Sequence, residues 1–237
     1  MKKQATFGKK LFGILAAAAG LLVCLFGFAA CIDSGIGDGT GNGDGTGNGG
    51  GGDTPGMTTY TFEAEYVDLD GLYSPSYSGS VYGADLVYGG GTQADKDKGW
   101  SNGYYVGPTY LDGFCLRFAV NSDAAKSATL IIRVGSELPD LALAPSNFEI
   151  KVNAAALSYS SLSVTTAVDM PGMTFADKTV STNVQLAQGE NEITLTVKAN
   201  TFKGGDTGGP MVDCIKIKTE ASLTWTPIDN PANAGMA

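Results

Sequence analysis

Three acids set the chemistry open to this chain. Glu63 and Glu65 lie two residues apart in the segment YTFEAEY, residues 60–66, and Asp213 falls in MVDCIKIKT about 150 residues later. As an extended strand, the first segment puts Tyr60, Phe62, Ala64 and Tyr66 on one face and Thr61, Glu63 and Glu65 on the other. Two carboxylates on one face repel, so solvent, a basic partner or a bound cation must offset them. Paired acids can hydrolyse glycosides, or they can hold a hard cation such as calcium, which takes oxygen ligands only. The 237 residues include no histidine. This removes the commonest general base, the Ser-His and Cys-His nucleophile systems and the usual zinc ligand.

The elements that must position these acids are short strands. LRFAV (116–120) alternates with Leu116, Phe118 and Val120 on one face, and TLIIRVG (129–135) is apolar enough to be central. NFEIKV turns Phe148, Ile150 and Val152 inward, and EITLTVKA does the same with Ile193, Leu195 and Val197. VQLAQ (184–188) leads into the turn that precedes it. Ile215 and Ile217 oppose Lys216 and Lys218 in the last convincing strand. No helical period is evident, and Gly, Pro, Asn and Asp divide the strands at near-regular spacing. This pattern predicts an all-β, antiparallel sandwich. Asp213 shares the parity of Ile215 and Ile217, which points its side chain toward the interior or its rim. A carboxylate there needs a cation or hydrogen-bond donors; a turn cap at the strand's exposed start is the plainer reading.

Before the strands come two segments of different composition. Residues 1–30 have a basic start, an apolar run and small residues before Cys31, the layout of an export signal. Phe28-Ala29-Ala30-Cys31 resembles the lipobox of bacterial lipoproteins, with Phe28 in place of the usual leucine; an uncleaved membrane anchor is the alternative. The resemblance implies lipidation of Cys31 and an extracytoplasmic domain anchored to the cell membrane. Residues 31–56 are glycine-rich, with DGTGNG at 38–43 repeated at 44–49, and have almost nothing apolar to bury. They read as a flexible tether with a reach of about 25–30 Å. Beyond the leader, 11 basic residues face 24 acidic ones, a net of −13. Such a chain repels nucleic acid and favours divalent cations. The folded part, expected over 57–220, is of ordinary single-domain size, and 221–237 reads as a tail with Trp225 placed to pack back.

Across residues 67–113, eight aromatic residues lie among glycines and serines: Tyr73, Tyr77, Tyr82, Tyr88, Trp100, Tyr104, Tyr105 and Tyr110. Exposed aromatics of this kind offer flat apolar surfaces on which sugar rings stack, whereas buried ones are core.

The chain from Tyr60 to Thr219 resembles the β-sandwich carbohydrate-binding modules of families 6 and 35. YTFEAE looks like their opening strand. GYYVG (103–107) with DGFCLRFAV looks like their Gly-rich turn and following strand, and LAQGENEITLTV with PMVDCIKI looks like their closing pattern. The resemblance implies a jelly roll with a structural calcium held by Glu63, Glu65 and Asp213. It also implies a sugar site among loops at one end. Trp100, Tyr104, Tyr105 and Tyr110 are its candidates near the Gly-rich turn, with Phe175 on the opposing loop and Asn200 and Asp206 before the last strand. Positions Cys115 and Cys214 hold aromatics on one sheet surface in related modules, which would bring the two thiols close enough for a disulfide; free thiols are the alternative. The expected function is non-catalytic binding of a glycan or polysaccharide by a monomer. A surface adhesion or structural module that binds protein is the second reading, and a small glycosidase or lyase the third.

Overall fold

The computed structural model describes residues 56–76, 79–107, 109, 111–136, 141–164, 175–198 and 209–228. Strand β1 (Thr58–Glu63) runs into a single 3-10 turn, Ala64–Tyr66. A hairpin of β2 (Tyr73–Ser76) and β3 (Gly79–Tyr82) follows, then a second 3-10 turn, β4 (Val87–Gly89), the one-turn helix α1 (Gln93–Asp97) and β5 (Tyr104–Val106). The remaining strands are β6 (Cys115–Ser122), β7 (Lys126–Gly135), β8 (Leu141–Leu143), β9 (Phe148–Val152), β10 (Ala155–Ala156), β11 (Leu162–Val164), β12 (Ala176–Leu186), β13 (Gly189–Val197), β14 (Met211–Thr219) and β15 (Leu223–Trp225).

Two antiparallel sheets form the sandwich. One has the order β12-β7-β14-β5-β4 with β1 also paired to β14, and the other has the order β10-β9-β13-β6-β15. Between them lies one core that draws Leu130, Ile132, Ile215 and Ile217 from the first sheet and Phe118, Ile150, Ile193 and Leu195 from the second. The alternation read along each segment is the alternation that fills this core: β6 and β9 bury every second residue. Helix α1 departs from the all-strand expectation. Thr92 caps it by accepting from the Asp95 backbone N–H, and Asp95 pairs with Lys98 at 2.9 Å.

Strand pairing continues past residue 220, with Trp225 packed back as the sequence suggested. Residues 223–225 add an edge strand to β6, Trp225 packs edge-on against Phe62 at 5.4 Å, and the Ile228 N–H donates to the Tyr66 carbonyl. The apolar Leu223 and Trp225 cover a flank that β6 would otherwise leave bare.

Candidate functional site

Strand β14 is central to the first sheet. One side pairs with β7; along the other, β1 covers residues 214–219 and β5 takes over at Val212, opposite Val106. The acids gather at that hand-over. Glu63 is the last residue of β1 and sits opposite Cys214. The ladder between β14 and β7 skips one residue there: Val212 pairs with Val134 and Cys214 with Arg133, so Asp213 is the extra residue of a β-bulge.

This bulge revises the parity argument. Because one residue is inserted, Val212 joins Ile215 and Ile217 in the core, and the Asp213 carboxylate turns to the outer side with Arg133. It is nonetheless fully buried, because residues 99–102 fold over it. The Ser101 backbone N–H donates to both Asp213 oxygens at 3.0 Å, and Arg133 Nε lies 2.9 Å from Asp213 Oδ2. Ser101 Oγ sits between Asp213 Oδ1, at 3.0 Å, and Glu63 Oε2. One hydroxyl proton serves one of these oxygens, and a proton on Glu63 serves the other. Asn102 Nδ2 donates to Glu65 Oε1 at 3.1 Å and to the Tyr66 hydroxyl at 3.3 Å. Arg133 also donates to the Gly99 carbonyl and pairs with Asp177, which Lys216 meets at 2.7 Å.

The electrostatics follow from this crowding. Burial pushes the Glu63 carboxyl up to about 8, and the neighbouring Glu65 and Asp213 charges add to the rise against the Ser101 hydrogen bond. Burial likewise raises Glu65 to about 7 and Asp213 to about 6. Burial drives the Cys214 thiol upward too, with the Asp213 and Glu63 charges adding to it, so it stays a neutral S–H. Glu63, Asp213 and Cys214 can each bring a ligand atom within 4.8 Å of the others. With the thiol protonated, the available donors are hard carboxylate oxygens, a set that fits calcium and not a thiophilic metal. Glu65 belongs to the same electrostatic unit, since its charge acts on Glu63 and the Asp213 charge acts on it. The structure therefore brings Glu63 and Asp213 together beside Cys214, couples Glu65 to them through charge, and adds Ser101, Asn102 and Arg133. The sequence flagged none of these three, because the loop that positions Ser101 and Asn102 has no period to read.

The predicted sugar-stacking residues fare differently. Trp100, Tyr105 and Phe175 are buried together with Met211 in a second, smaller cluster, and Tyr104 belongs to the main core. Trp100 meets Tyr105 edge-on at 4.8 Å, and Tyr105 meets Phe175 at 5.2 Å. As placed, these four rings support the loop over the acids and offer no face to a ligand. Strand β5 explains this: Tyr104–Val106 is buried on both sides, between the sheet core and the 88–100 segment. Tyr110, Asn200, Asp206 and Cys31 lie outside the described residues.

Among the described residues, the exposed aromatics are ones that sequence reading did not single out from their neighbours. Tyr73 is 41% exposed and Tyr82 is 58% exposed. They face each other across the β2–β3 hairpin, stacked at 5.2 Å with rings 21° apart. Beside them is an open cleft of about 270 Å³ lined by Leu72, Tyr73, Leu111, Asp112, Gly113 and Phe114. Their strands, β2 and β3, are four residues each, too short for alternation to be told from the surrounding loop.

Cys115 and Cys214 do not form a disulfide; both are free. They occupy different sheets, and each side chain turns away from the shared core. Cys115 lies on the outer face of the five-stranded sheet, where Thr196 Oγ1 approaches it at 3.2 Å, and Cys214 lies beside Glu63 on the opposite outer side. The whole sandwich separates the two thiols.

These features define an antiparallel β-sandwich with a buried carboxylate cluster at one end and an exposed tyrosine pair beside a cleft. No known family profile matches the chain, and no curated protein matches it. Among solved structures the chain is similar to carbohydrate-binding modules. A family 35 module from Clostridium thermocellum is 19% identical, over 68% of this chain and 97% of that one, with a TM-score of 0.43. A family 35 module from an environmental isolate is 16% identical, over 72% and 99%, with a TM-score of 0.43. A family 36 module in complex with calcium and xylotriose is 16% identical, over 67% and 98%, with a TM-score of 0.39. The roles given to the acids and tyrosines rest on this chain's own geometry.

Proposed function

We propose that this chain is a non-catalytic carbohydrate-binding protein, displayed outside a bacterial cell by a lipid on Cys31 and stabilised by calcium at Glu63, Glu65 and Asp213. The Tyr73–Tyr82 pair carries the binding half of this reading. A stacked pair of exposed rings beside a concave site is an arrangement that takes the C–H face of a pyranose, while polar groups at the rim fix its hydroxyls. Asp112 supplies such a group in the adjoining cleft. Tyr110, two residues before Asp112, and Asn200 and Asp206, in the segment before β14, complete the proposed contact set. The calcium half is supported by three carboxylates, Glu65 and Asp213 fully buried and Glu63 half-buried, whose ionisation is opposed until a cation neutralises them. Bound calcium supplies that positive charge. Ser101, Asn102 and Arg133 hold the carboxylates in place around it. A binding role in preference to turnover is supported by the position of the acids: residues 99–102 cover them, and none lines the tyrosine cleft.

A glycan array probed with the protein in calcium tests the reading. We expect binding to at least one glycan class, reduced about tenfold or more by Tyr82→Ala, in line with the loss of an aromatic stacking contact. A protein that binds no glycan above background, with calcium and with chelator, overturns it.

A further inference from the structure

The cleft beside Tyr73 and Tyr82 is built from stretches of chain that carry acids and no bases. Residues 66–86 form the β2–β3 hairpin and give Gly71, Leu72 and Tyr73 to the lining. They include Asp68, Asp70 and Asp85 and neither Lys nor Arg. Residues 99–116 give the rest of the lining, Leu111 to Phe114, and include Asp112 and again neither Lys nor Arg. Asp112 lines the cleft itself, and all four of these aspartates are exposed. Carboxylates of one sign around a concave site set up a negative field in it, which concentrates cations and repels anions.

Gly113 marks the limit of this field. It lines the cleft on one side and a separate groove on the other, and the cations of that groove, Arg117, Lys151 and Lys198, have acids of their own. Arg117 lies 3.3 Å from Glu192, while Lys151 and Lys198 lie 2.6 and 3.8 Å from Glu149. Pairing there leaves little positive charge to offset the cleft.

The aromatic pair adds a preference of the same sign. An aromatic ring is negative on its face, and a cation within about 6 Å of the ring centre is attracted to it. Tyr73 and Tyr82 are both exposed and stack on each other, so their faces and the aspartates act together on whatever enters. A carboxylated or sulfated sugar is repelled by both. A neutral sugar gains stacking alone. A sugar with a free amine gains stacking, attraction of its ammonium to the rings, and a charge-assisted hydrogen bond to a carboxylate, which is about twice as strong as a neutral one. A 2-amino pyranose carries the apolar C–H face and the ammonium in a single unit, so one residue of the polymer satisfies all three.

We infer that the Tyr73–Tyr82 cleft takes amino sugars with a free ammonium, such as the glucosamine units of a de-N-acetylated polysaccharide, with the ring on the tyrosines and the ammonium at Asp112. The inference rests on the carbohydrate-binding reading above and names the class of sugar. Asp112 sets the preference for the free amine, because an N-acetyl group brings it no charge. Asp70, next to the lining residue Gly71, adds to the field.

The test is calorimetry of the full chain in calcium with a glucosamine hexamer and an N-acetylglucosamine hexamer of the same linkage, in mildly acidic, low-salt buffer where the amines carry their protons. The glucosamine hexamer is expected to bind about fivefold tighter or more, and the gap to narrow near about 1 M salt, where charges are screened. Asp112→Asn is expected to close most of the gap, leaving affinity for the acetylated hexamer and the melting temperature near those of the parent. Equal or tighter binding of the acetylated hexamer by the parent overturns the inference, and this comparison needs no variant to fold. So does failure to bind either hexamer. A gap unchanged in Asp112→Asn also overturns it, since attraction to the overall negative charge of the chain would survive that substitution. If neutral glycans on the array are still bound, and Tyr82→Ala still weakens them, the carbohydrate-binding reading stands while this one falls. If no glycan of any kind is bound, both fall.

Discussion

Replacing Glu63 by Gln tests the carboxylate cluster directly. Glutamine keeps the shape and the ability to accept from Ser101, but it cannot ionise. The folded protein raises Glu63 from its ordinary value of 4.5 to about 8, mainly through burial. The stability associated with its bound proton is therefore complete below pH 4.5 and is lost as pH rises through 8. At about 1.4 kcal/mol per pKa unit the metal-free protein loses about 4 kcal/mol through this one group between pH 4.5 and 8. For a domain of this size that corresponds to a fall in melting temperature on the order of 10 °C. The assay is thermal unfolding followed by circular dichroism, in chelator and in calcium, at pH 5 and pH 8. In chelator, E63Q should fall less than the parent by about that margin and be the more stable of the two at pH 8. In calcium the order should reverse, because the parent gains a ligand that the variant lacks. If E63Q in chelator loses stability as steeply as the parent, or is the weaker at pH 8, the account of the cluster is wrong.

Three further outcomes follow from other parts of the fold. Asn191 is fully buried and uses both ends of its amide, donating to the Ala187 and Gly189 carbonyls and accepting from the Ala187 N–H and Asn153 Nδ2. Asn191→Ala should cost about 2–4 kcal/mol in a denaturant titration, since several buried polar groups lose a partner at once, and should leave glycan affinity unchanged. Gly89 has φ at +112°, and a Cβ there would lie 2.2 Å from the Gly103 carbonyl oxygen, so Gly89→Ala should lower the yield of folded protein and increase proteolysis of the 88–103 segment. A chain covering residues 57–237, which leaves out Cys24 and Cys31, should titrate with two thiols in denaturant, and a reductant should leave its melting temperature unchanged; a single intact disulfide by mass spectrometry would contradict the separation of Cys115 from Cys214.

What could be read from the sequence depended on whether a residue's position follows from a period. Phe118, Ile150, Ile193 and Leu195 could be placed because a strand's two-residue alternation is imposed by its pleat, and all four are in the core. Asp213 could be placed near Glu63 by resemblance, yet its orientation depends on a one-residue bulge. A bulge reverses parity without any mark in composition. The two cysteines show a different gap. Each alternates with a core residue of its own strand, Leu116 or Ile215, and so turns outward, but a sandwich has two outward faces, and parity within a strand does not say which sheet the strand joins. Among the described aromatics, residue type pointed to Trp100, Tyr104 and Tyr105, while exposure belongs to Tyr73 and Tyr82. Burial of a loop ring is decided by what folds across it, and neither the 99–102 crossing nor the Arg133–Gly99 bond that holds it follows from a local pattern.

The hand-over on β14 joins parts of the chain that are far apart in sequence: the end of β1, the loop before β5 and the bulge at Asp213. No two of these segments hold all the acids and their donors, so the complete pocket does not exist until the first and last strands have met. Closing so long a loop is a late and slow event in folding. A cation that recognises only the closed arrangement cannot hasten that encounter; it acts afterwards, by holding the closed form against reopening. Calcium should therefore lengthen the lifetime of the folded protein by slowing its unfolding, with the refolding rate nearly the same in calcium and in chelator. Under the extracytoplasmic placement proposed above, resistance to opening matters more than speed of assembly.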